Sequence, residues 1–398
     1  LKLEQLPQEF ELARPVLQTI EQAGYEAYFV GGSVRDTILG KDIHDVDIAT
    51  SAYPNEIKGL FKRTVDTGIE HGTVMILDHG TGYETTTFRS ESTYTDFRRP
   101  DQVTFVRSLE EDLKRRDFTI NALAMKEDGA VIDLFDGLTD LQEHRIRAVG
   151  DPQERFHEDA LRMMRAVRFA SQLDFTIEGP TKQAITDHAA LLEKIAVERT
   201  QVELLKMLQG KKPQRGLQDM LDTGLWQYCP DFASHEVALT ELAQRLHQGA
   251  TSNEAAWTLL ATQFKLDTTA IGSFLKHWKT ANQTITAVQT ATRTAELLLQ
   301  GDLTAWQLYQ CGATLTPVAN EVAVTLGAPD RSTQLAHDLA ALPIQTKKEL
   351  AISGGDLMKA GVKPGPQLGA ILGDLEYRVV MGELPNENAA LVANSTAD

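Results

Sequence analysis

Cysteine is nearly missing from this sequence: Cys229 and Cys311 are its only two, and they stand far apart. That excludes a disulfide framework and a cysteine zinc site, and it fits a reducing cytoplasm. No apolar run approaches the length of a membrane span, so no membrane partner is expected. The stretch from Leu1 to Phe10 has neither a basic start nor an apolar core, so no signal peptide is expected there. Positive charge is also in short supply. With 39 Lys and Arg against 56 Asp and Glu, the net charge is −17. This argues against charge-driven coating of nucleic acid, because phosphate contacts come mostly from Lys and Arg. It leaves a nucleic-acid substrate open. Residues 1–210 hold 25 basic and 37 acidic side chains, and residues 211–398 hold 14 and 19. Local arginine clusters stand inside that acidic background, the pattern of an enzyme that positions one substrate.

The 398 residues have room for two or three structural units and a substantial core. Up to about residue 150 the pattern alternates. Strands are predicted at Ala27–Val30, Ile43–Ala49, Thr73–Leu77, Tyr83–Phe88 and Val103–Val106. Pro54 opens a helix with Ile57, Leu60 and Phe61 as its apolar stripe. Beyond Asp151-Pro152 the strands are expected to stop. Helical periodicity takes over, as in Ala160–Ser171, Lys182–Ile195, Thr200–Gln209, Ala255–Gln263 and Thr284–Leu299. The fold class is therefore α+β: an α/β head followed by an all-helical remainder. There is no clean internal repeat, and residues 388–398 read as a frayed end.

The most informative feature is a pair of aspartates. Asp45 and Asp47 follow the Gly-Gly turn Gly31-Gly32-Ser33-Val34-Arg35-Asp36 by about ten residues. On a strand from Ile43 to Ala49 both carboxylates face one side. They repel unless a cation sits between them, and hard oxygen ligands favour Mg²⁺. A glycine turn ahead of a helix, beginning near Val34, offers backbone N–H groups to phosphate. Together these describe a site for a metal-bound nucleoside triphosphate. In Tyr83–Phe88, Glu84 is either a third carboxylate at that metal or a polar cross-strand residue. The stretch from Phe88 to Val103, with Arg89, Tyr94, Phe97, Arg98, Arg99 and Pro100, lacks periodicity and reads as a functional loop.

Arginine gathers in two further segments. In Arg115-Arg116-Asp117-Phe118-Thr119-Ile120-Asn121-Ala122, the arginines match phosphate geometry. Asp117 and Asn121 would share a helix face and could hold a ribose hydroxyl or a metal-bound water; a capped helix start with solvated arginines is the alternative. In His157–Phe169, Asp159, Arg162, Arg165 and Arg168 recur every three residues along one broad helix face, opposite Met163, Val167 and Ala170. Asp159 and Arg162 are either a surface ion pair or a reader of base edges. An acceptor beside a donor matches cytosine and adenine and rejects uracil and guanine. Arg165 and Arg168 are then expected to remain free for phosphates.

These motifs, in this order, resemble the bacterial class II tRNA nucleotidyltransferases, the CCA-adding enzymes. The resemblance runs from about residue 27 to 210. It takes in Gly31–Asp36, Asp45-Val46-Asp47, Arg115–Ala122, Asp133-Leu134-Phe135-Asp136-Gly137 and Glu158–Arg162. It closes with Val197-Glu198-Arg199 and Glu203-Leu204-Leu205-Lys206. Ser353-Gly354-Gly355-Asp356-Leu357 is similar to the family's tail. The resemblance implies a nucleotidyltransferase head (1–150), a helical neck holding the nucleotide template (151–212), a body (213–300) and a tRNA-binding tail (301–398). It implies that Asp45 and Asp47 hold Mg²⁺, that Gly32 and Arg35 meet the triphosphate, and that Arg116 and Asp117 meet the nucleotide and its ribose. Asp159 and Arg162 would be the template, with Arg165 and Arg168 lining its pocket. Asp133–Gly137 would be a springy element that reorients the template. The Tyr94–Pro100 loop would serve the switch to ATP.

The expected partners are CTP, ATP and the 3′ end and acceptor arm of tRNA, in the cytoplasm, with a homodimer admitted. Rival readings are a poly(A) polymerase on the same scaffold, a partial enzyme adding C-C or A alone, and a catalytically idle tRNA-binding protein. Intact Asp45 and Asp47 speak against the last. His337-Asp338, a dipeptide that marks phosphohydrolase domains in some relatives, lacks companions at suitable spacing and reads as a surface pair.

Overall fold

Helix α1 (Gln8–Gln22) puts Phe10, Ala13, Val16, Leu17 and Ile20 on one buried face. It covers strand β1 (Ala27–Val30), whose four residues are all buried, as an interior strand requires. Phe10 meets Phe29 edge-on at 4.7 Å between ring centres. The computed structural model describes residues 1–91 and 103–395 and sets β1 inside a seven-stranded mixed sheet. Helix α2 (Gly32–Ile38) follows β1 directly. Next come β2 (Asp47–Thr50), α3 (Pro54–Leu60), β3 (Thr64–Gly68), β4 (Thr73–Asp78) and β5 (Thr81–Thr87). Strands β2 and β5 run parallel, and α3, β3 and β4 make the crossover that parallel pairing needs. The remaining neighbours in the sheet are antiparallel.

Strands β6 (Arg89–Glu91) and β7 (Val103–Phe105) pair as a separate ribbon, so the expected loop starts and ends as paired strands. Its residues Tyr94, Phe97, Arg98, Arg99 and Pro100 lie outside the described residues. Helix α4 (Leu109–Lys114) leads to β8 (Leu123–Met125) and β9 (Val131–Asp133), which complete the sheet in the order β3-β4-β5-β2-β1-β8-β9. Helix α5 (Gly137–Gln142) and strand β10 (Arg145–Ile146) follow.

Helices α6 (Pro152–Glu158), α7 (Leu161–Leu173), α8 (Gly179–His188), α9 (Val197–Leu208) and α10 (Pro213–Thr223) come next. The expectation that strands end at Pro152 is corrected by β11 (Thr176–Ile177), which pairs in parallel with β10. Two-residue strands carry no periodicity to detect. Helix α7 is buried nearly all round, Arg162 and Arg168 included, and packs on α9 and α10.

The chain divides into two compact units, Leu1–Ser234 and His235–Asp398. The second contains α11 (Glu236–Arg245), α12 (Asn253–Gln263), α13 (Thr268–His277), α14 (Asn282–Gln300) and α15 (Ala305–Thr325). It continues with α16 (Ser332–Ala341), α17 (Gly354–Lys359), α18 (Pro366–Val380) and α19 (Asn388–Ser395). The frayed end is corrected here: Leu391 is fully buried in a core with Leu350, Leu357 and Val379. The Asn388 side chain also donates to the Ala351 carbonyl at 2.9 Å. His337 and Asp338 sit exposed on α16, paired at 3.3 Å. No helix among the described residues is long and apolar enough to cross a membrane.

Candidate active site

The turn from β1 into α2 is made by Gly31, at φ 77°, a backbone conformation that favours glycine. Space is tight there as well. A Cβ on Gly31 would lie 3.3 Å from Asp47 Oδ2 and 3.9 Å from Arg116 Nη1. Three turns of chain thus converge: the glycine turn, the start of β2 and the arginine segment. One turn into α2, Arg35 is buried. It donates from Nη1 to Asn121 Oδ1 at 2.6 Å and from Nε and Nη2 to the Asp36 carboxylate at 2.9 and 3.1 Å.

Strand β2 begins at Asp47, not at Ile43. Asp45 therefore stands ahead of the strand, and pleat geometry alone does not place it. The shared face survives in the burial pattern: Val46 and Ile48 are buried while Asp45 and Asp47 are exposed. Ile48 pairs with Thr85 in the parallel register, so Glu84 follows beside Asp47. Burial pushes the Asp47 carboxyl above its ordinary value, and the charges of Glu84 and Asp45 push it further, against Arg116. Among the described residues no three acidic, His or Cys side chains form a ready-made metal cage. Mg²⁺ rarely asks for one; it binds through one or two carboxylates, water and substrate phosphates. A carboxylate destabilised by acidic neighbours at the exposed start of a central strand fits such an ion.

Beside this strand end lies a cavity of about 610 Å³. Gly31, Gly32, Arg35, Asp47, Arg116, Asp117, Asn121, Asp159, Arg162, Arg165 and Arg168 all line it. Asp45 and Glu84 do not. Eight arginines and four carboxylates stand around it, an excess of positive charge within an acidic protein. Arg116 Nε and Arg199 Nη1 are buried with no hydrogen-bond partner among the described residues, and such orphaned donors point to an absent acceptor.

Asp117 and Asn121 touch without sharing a helix. Asn121 ends a 3₁₀ turn, Thr119–Asn121, and its Nδ2 donates to Asp117 Oδ1 at 3.1 Å. The Phe118 amide donates to the same oxygen at 2.7 Å, and Arg165 Nε donates to Oδ2 at 2.6 Å. Burial works against the Asp117 charge, but Arg165 and these hydrogen bonds outweigh it and hold the carboxyl down at about 2. Arg165 is thus not free as expected. Nor is Arg168, whose Nε lies 2.6 Å from Glu203 Oε2. Burial pulls its pKa down to about 10, with Arg165 and Arg35 adding to the pull against Glu203.

The single helix face expected for Asp159 and Arg162 is also corrected. Asp159 is extended, at φ −135°, between α6 and α7. Its Oδ1 accepts from the Leu161 amide at 3.0 Å, and Arg199 Nη2 lies 3.4 Å from Oδ2. A short acidic side chain ahead of a helix satisfies its first amides, and that preference wins over continuation of the helix. Arg162 Nη1 donates to Glu158 Oε2 at 2.9 Å, and Nη2 to the Arg115 carbonyl at 2.9 Å.

Three residues that hold this site were given no role from the sequence. Asp112, 1 % exposed, accepts from Arg115 Nε at 3.0 Å and Arg116 Nη2 at 3.2 Å; its spacing three and four residues ahead was a usable signal. Glu158, four residues ahead of Arg162, carried the same signal. Phe169 carried none. Its ring lies 5.1, 5.4 and 4.1 Å from the guanidinium carbons of Arg35, Arg165 and Arg168.

Comparison with known proteins follows the same division of the chain. A family model described as the poly A polymerase head domain matches residues 27–147. One for a probable RNA- and SrmB-binding site of polymerase A matches 174–235, and one for tRNA nucleotidyltransferase domain 2 matches 248–394. The chain is 76% identical over 396 residues to the CCA-adding enzyme of Levilactobacillus brevis, covering 100% of both. It is 59% identical to the CCA-adding enzyme of Limosilactobacillus reuteri, covering 98% of both. It superposes on the CCA-adding enzyme of Bacillus stearothermophilus in complex with CTP with a TM-score of 0.90 at 39% identity, over 98% of this chain and 97% of that one.

Proposed function

The chain belongs to the CCA-adding enzymes, and from that premise we propose how the residues of its cavity divide the work. It adds C, C and A in turn to the 3′ end of tRNA without a nucleic-acid template, using CTP and ATP and releasing pyrophosphate. The relatives side with this reading over the poly(A) polymerase and the idle binding protein. The observation that carries the residue roles is the convergence of Gly31, Asp47 and Arg116 at the mouth of one arginine-rich cavity.

The family's chemistry uses divalent metal, and we assign Mg²⁺ to Asp45 and Asp47, with Glu84 on the neighbouring strand adding negative charge that favours the ion. Bound there, the ion would lower the pKa of the primer's 3′-hydroxyl and neutralise charge on the leaving pyrophosphate. The hydroxyl gives up its proton to water, its oxygen bonds to the α-phosphorus in line, and the bond from that phosphorus to the bridging β-phosphate oxygen breaks to release pyrophosphate. The Gly32 turn, Arg35 and Arg116 hold the triphosphate, and Asp117 and Asn121 fix the ribose end. Asp159 accepts from, and Arg162 donates to, the base edge. Both already have protein partners, Arg199 and Glu158, so a base binds by exchanging hydrogen bonds. A wrong base leaves these groups unpaired at a cost of about 1–3 kcal/mol each. Arg165 and Arg168 hold Asp117 and the floor of the pocket. The head, neck, body and tail division, with tRNA gripped by the tail, is part of this proposal, as is the cytoplasmic setting. Light scattering tests the admitted homodimer.

The experiment supplies Mg²⁺, tRNA lacking its CCA end, and CTP and ATP singly and together, and sequences the product. The expected product ends in CCA with both nucleotides and in CC with CTP alone. A long A tail, or no extension, overturns the activity. Asp45→Ala and Asp47→Ala should each cut kcat by about three orders of magnitude or more, a loss of ~4 kcal/mol of transition-state stabilisation. Near-normal turnover in either sinks the metal assignment.

A further inference from the structure

A second cavity, of about 310 Å³, shares Arg35 with the first and is lined also by Asp36, Lys41, Gln172, Gln209 and Lys211. Three cations face one carboxylate, and Asp36 is already engaged by Arg35 at 2.9 Å. Lys41 and Lys211 come from distant parts of the chain, yet both are held by backbone contacts. The Lys41 amide donates to the Asp36 carbonyl at 2.9 Å, just past Gly40 at φ 67°. Lys211 follows Gly210, where a Cβ would fall 2.1 Å from Ser171 Oγ and 2.9 Å from the Ser171 carbonyl carbon. The next residue, Lys212, donates its amide to the Ser171 carbonyl at 2.9 Å. Glycine at 210 therefore lets the connection between α9 and α10 close onto α7, which carries Lys211 to the cavity.

Neither ammonium group has an ion-pair partner among the described residues. Burial lowers the Lys41 pKa, and Arg35 and Lys211 lower it further, against the attraction of Asp36. Like charges brought together in a partly shielded hollow cost free energy that a bound anion returns. Gln172 and Gln209 line it as neutral groups, the first accepting from Arg168 and the second donating to the Leu205 carbonyl. We propose that this cavity is a second anion subsite that takes a backbone phosphate of the RNA strand being extended. The assignment rests on the CCA-addition reading. A triphosphate in the first cavity uses Arg35, and the strand whose 3′-hydroxyl meets its α-phosphorus must bring its own phosphates close by. Lys41 and Lys211 line the cavity that adjoins the nucleotide's through Arg35, and they do not line the nucleotide's own.

Steady-state extension of tRNA lacking CCA tests this with the full chain and the double substitution Lys41→Gln, Lys211→Gln. KM for tRNA should rise about tenfold near 0.1 M salt, and its salt dependence should flatten by about 0.7 in log–log slope for each phosphate no longer neutralised. KM for CTP and kcat should stay within about twofold of the parent, and the charge-retaining pair Lys41→Arg, Lys211→Arg should restore the tRNA KM. An unchanged tRNA KM overturns the subsite. A rise in the CTP KM alone also overturns it, because the cavity then serves the nucleotide's own phosphates. Failure of the parent protein to extend tRNA at all is a different result. It removes the function on which the subsite rests.

Discussion

Phe169 faces three guanidinium groups at once, those of Arg35, Arg165 and Arg168, and its own edge packs on Phe118 at 5.9 Å and 85°. Cation–π attraction is worth about 0.5–2 kcal/mol per pair, enough to fix the arginines where packing alone would not. Phe169→Leu keeps most of the apolar volume and removes the ring. KM for CTP and ATP should rise about tenfold, while Phe169→Tyr should stay near the parent. If Leu lowers the melting temperature but leaves both KM values alone, the ring is packing material and nothing more. Asp117 gives a second test at this scale. Its carboxyl is held at about 2 in the fold, below the ordinary 3.8, so it stabilises the native state above about pH 4. That stability is lost as the pH falls from about 4 to about 2, and amounts to roughly 2 kcal/mol. In urea unfolding, the gap between the parent and Asp117→Asn should close by that amount across this window. A gap independent of pH refutes the ion pair with Arg165. Neither partnership was legible in the sequence. Asp117 and Arg165 are 48 residues apart, and a hydrogen bond between distant segments leaves no local pattern. The alternation around Asp45 and Asp47 was legible because it is local.

Elements were readable in proportion to their length and burial. Strand β1 matches its expected span, Ala27–Val30, because four enclosed residues admit no other reading. The helix expected over Lys182–Ile195 divides into α8 and a 3₁₀ segment, Ala189–Lys194, since periodicity of apolar residues does not distinguish a 3.6 from a 3.0 repeat over six residues. Strand β2 is shorter than its apolar alternation because pairing with β1 stops at Asp47. The turn into α5 was read through its resemblance alone, and the structure supplies its mechanics. The Asp133 carboxylate accepts from the Gly137 and Leu138 amides at 2.9 Å each. A Cβ on Gly137 would fall 2.3 Å from the Thr119 carbonyl oxygen, a backbone atom that cannot swing away. Thr119 opens the turn that carries Asn121, the partner of Arg35 and Asp117. Gly137→Ala should therefore act at a distance. It should destabilise the fold by about 1–3 kcal/mol through overpacking and raise KM for CTP several-fold. Loss of stability with an unchanged CTP KM would show that α5 and the site are independent.

At the scale of the whole chain, charge and chromophores are both unevenly placed. A net charge of −17 surrounds a cavity in which arginines outnumber carboxylates eight to four, so attraction for phosphate is confined to where it is used. Every residue lining that cavity belongs to the unit Leu1–Ser234. Of the four tryptophans, Trp226 lies in that unit, and Trp257, Trp278 and Trp306 lie in the other. Units with separate cores need not melt together. A ligand stabilises what it binds: at 100 times its Kd, CTP adds about 2.7 kcal/mol. For a unit of this size that is roughly 5–10 °C in melting temperature. With Trp226→Phe the remaining indole fluorescence reports the second unit alone, while calorimetry sees both. CTP should move one calorimetric transition upward by that margin and leave the fluorescence transition in place. A fluorescence transition that follows CTP by the same margin would mean either that the units unfold as one or that nucleotide contacts extend beyond Ser234. Calorimetry of the same protein then separates the two, because joint unfolding gives one transition, whereas nucleotide contacts beyond Ser234 give two transitions that both move.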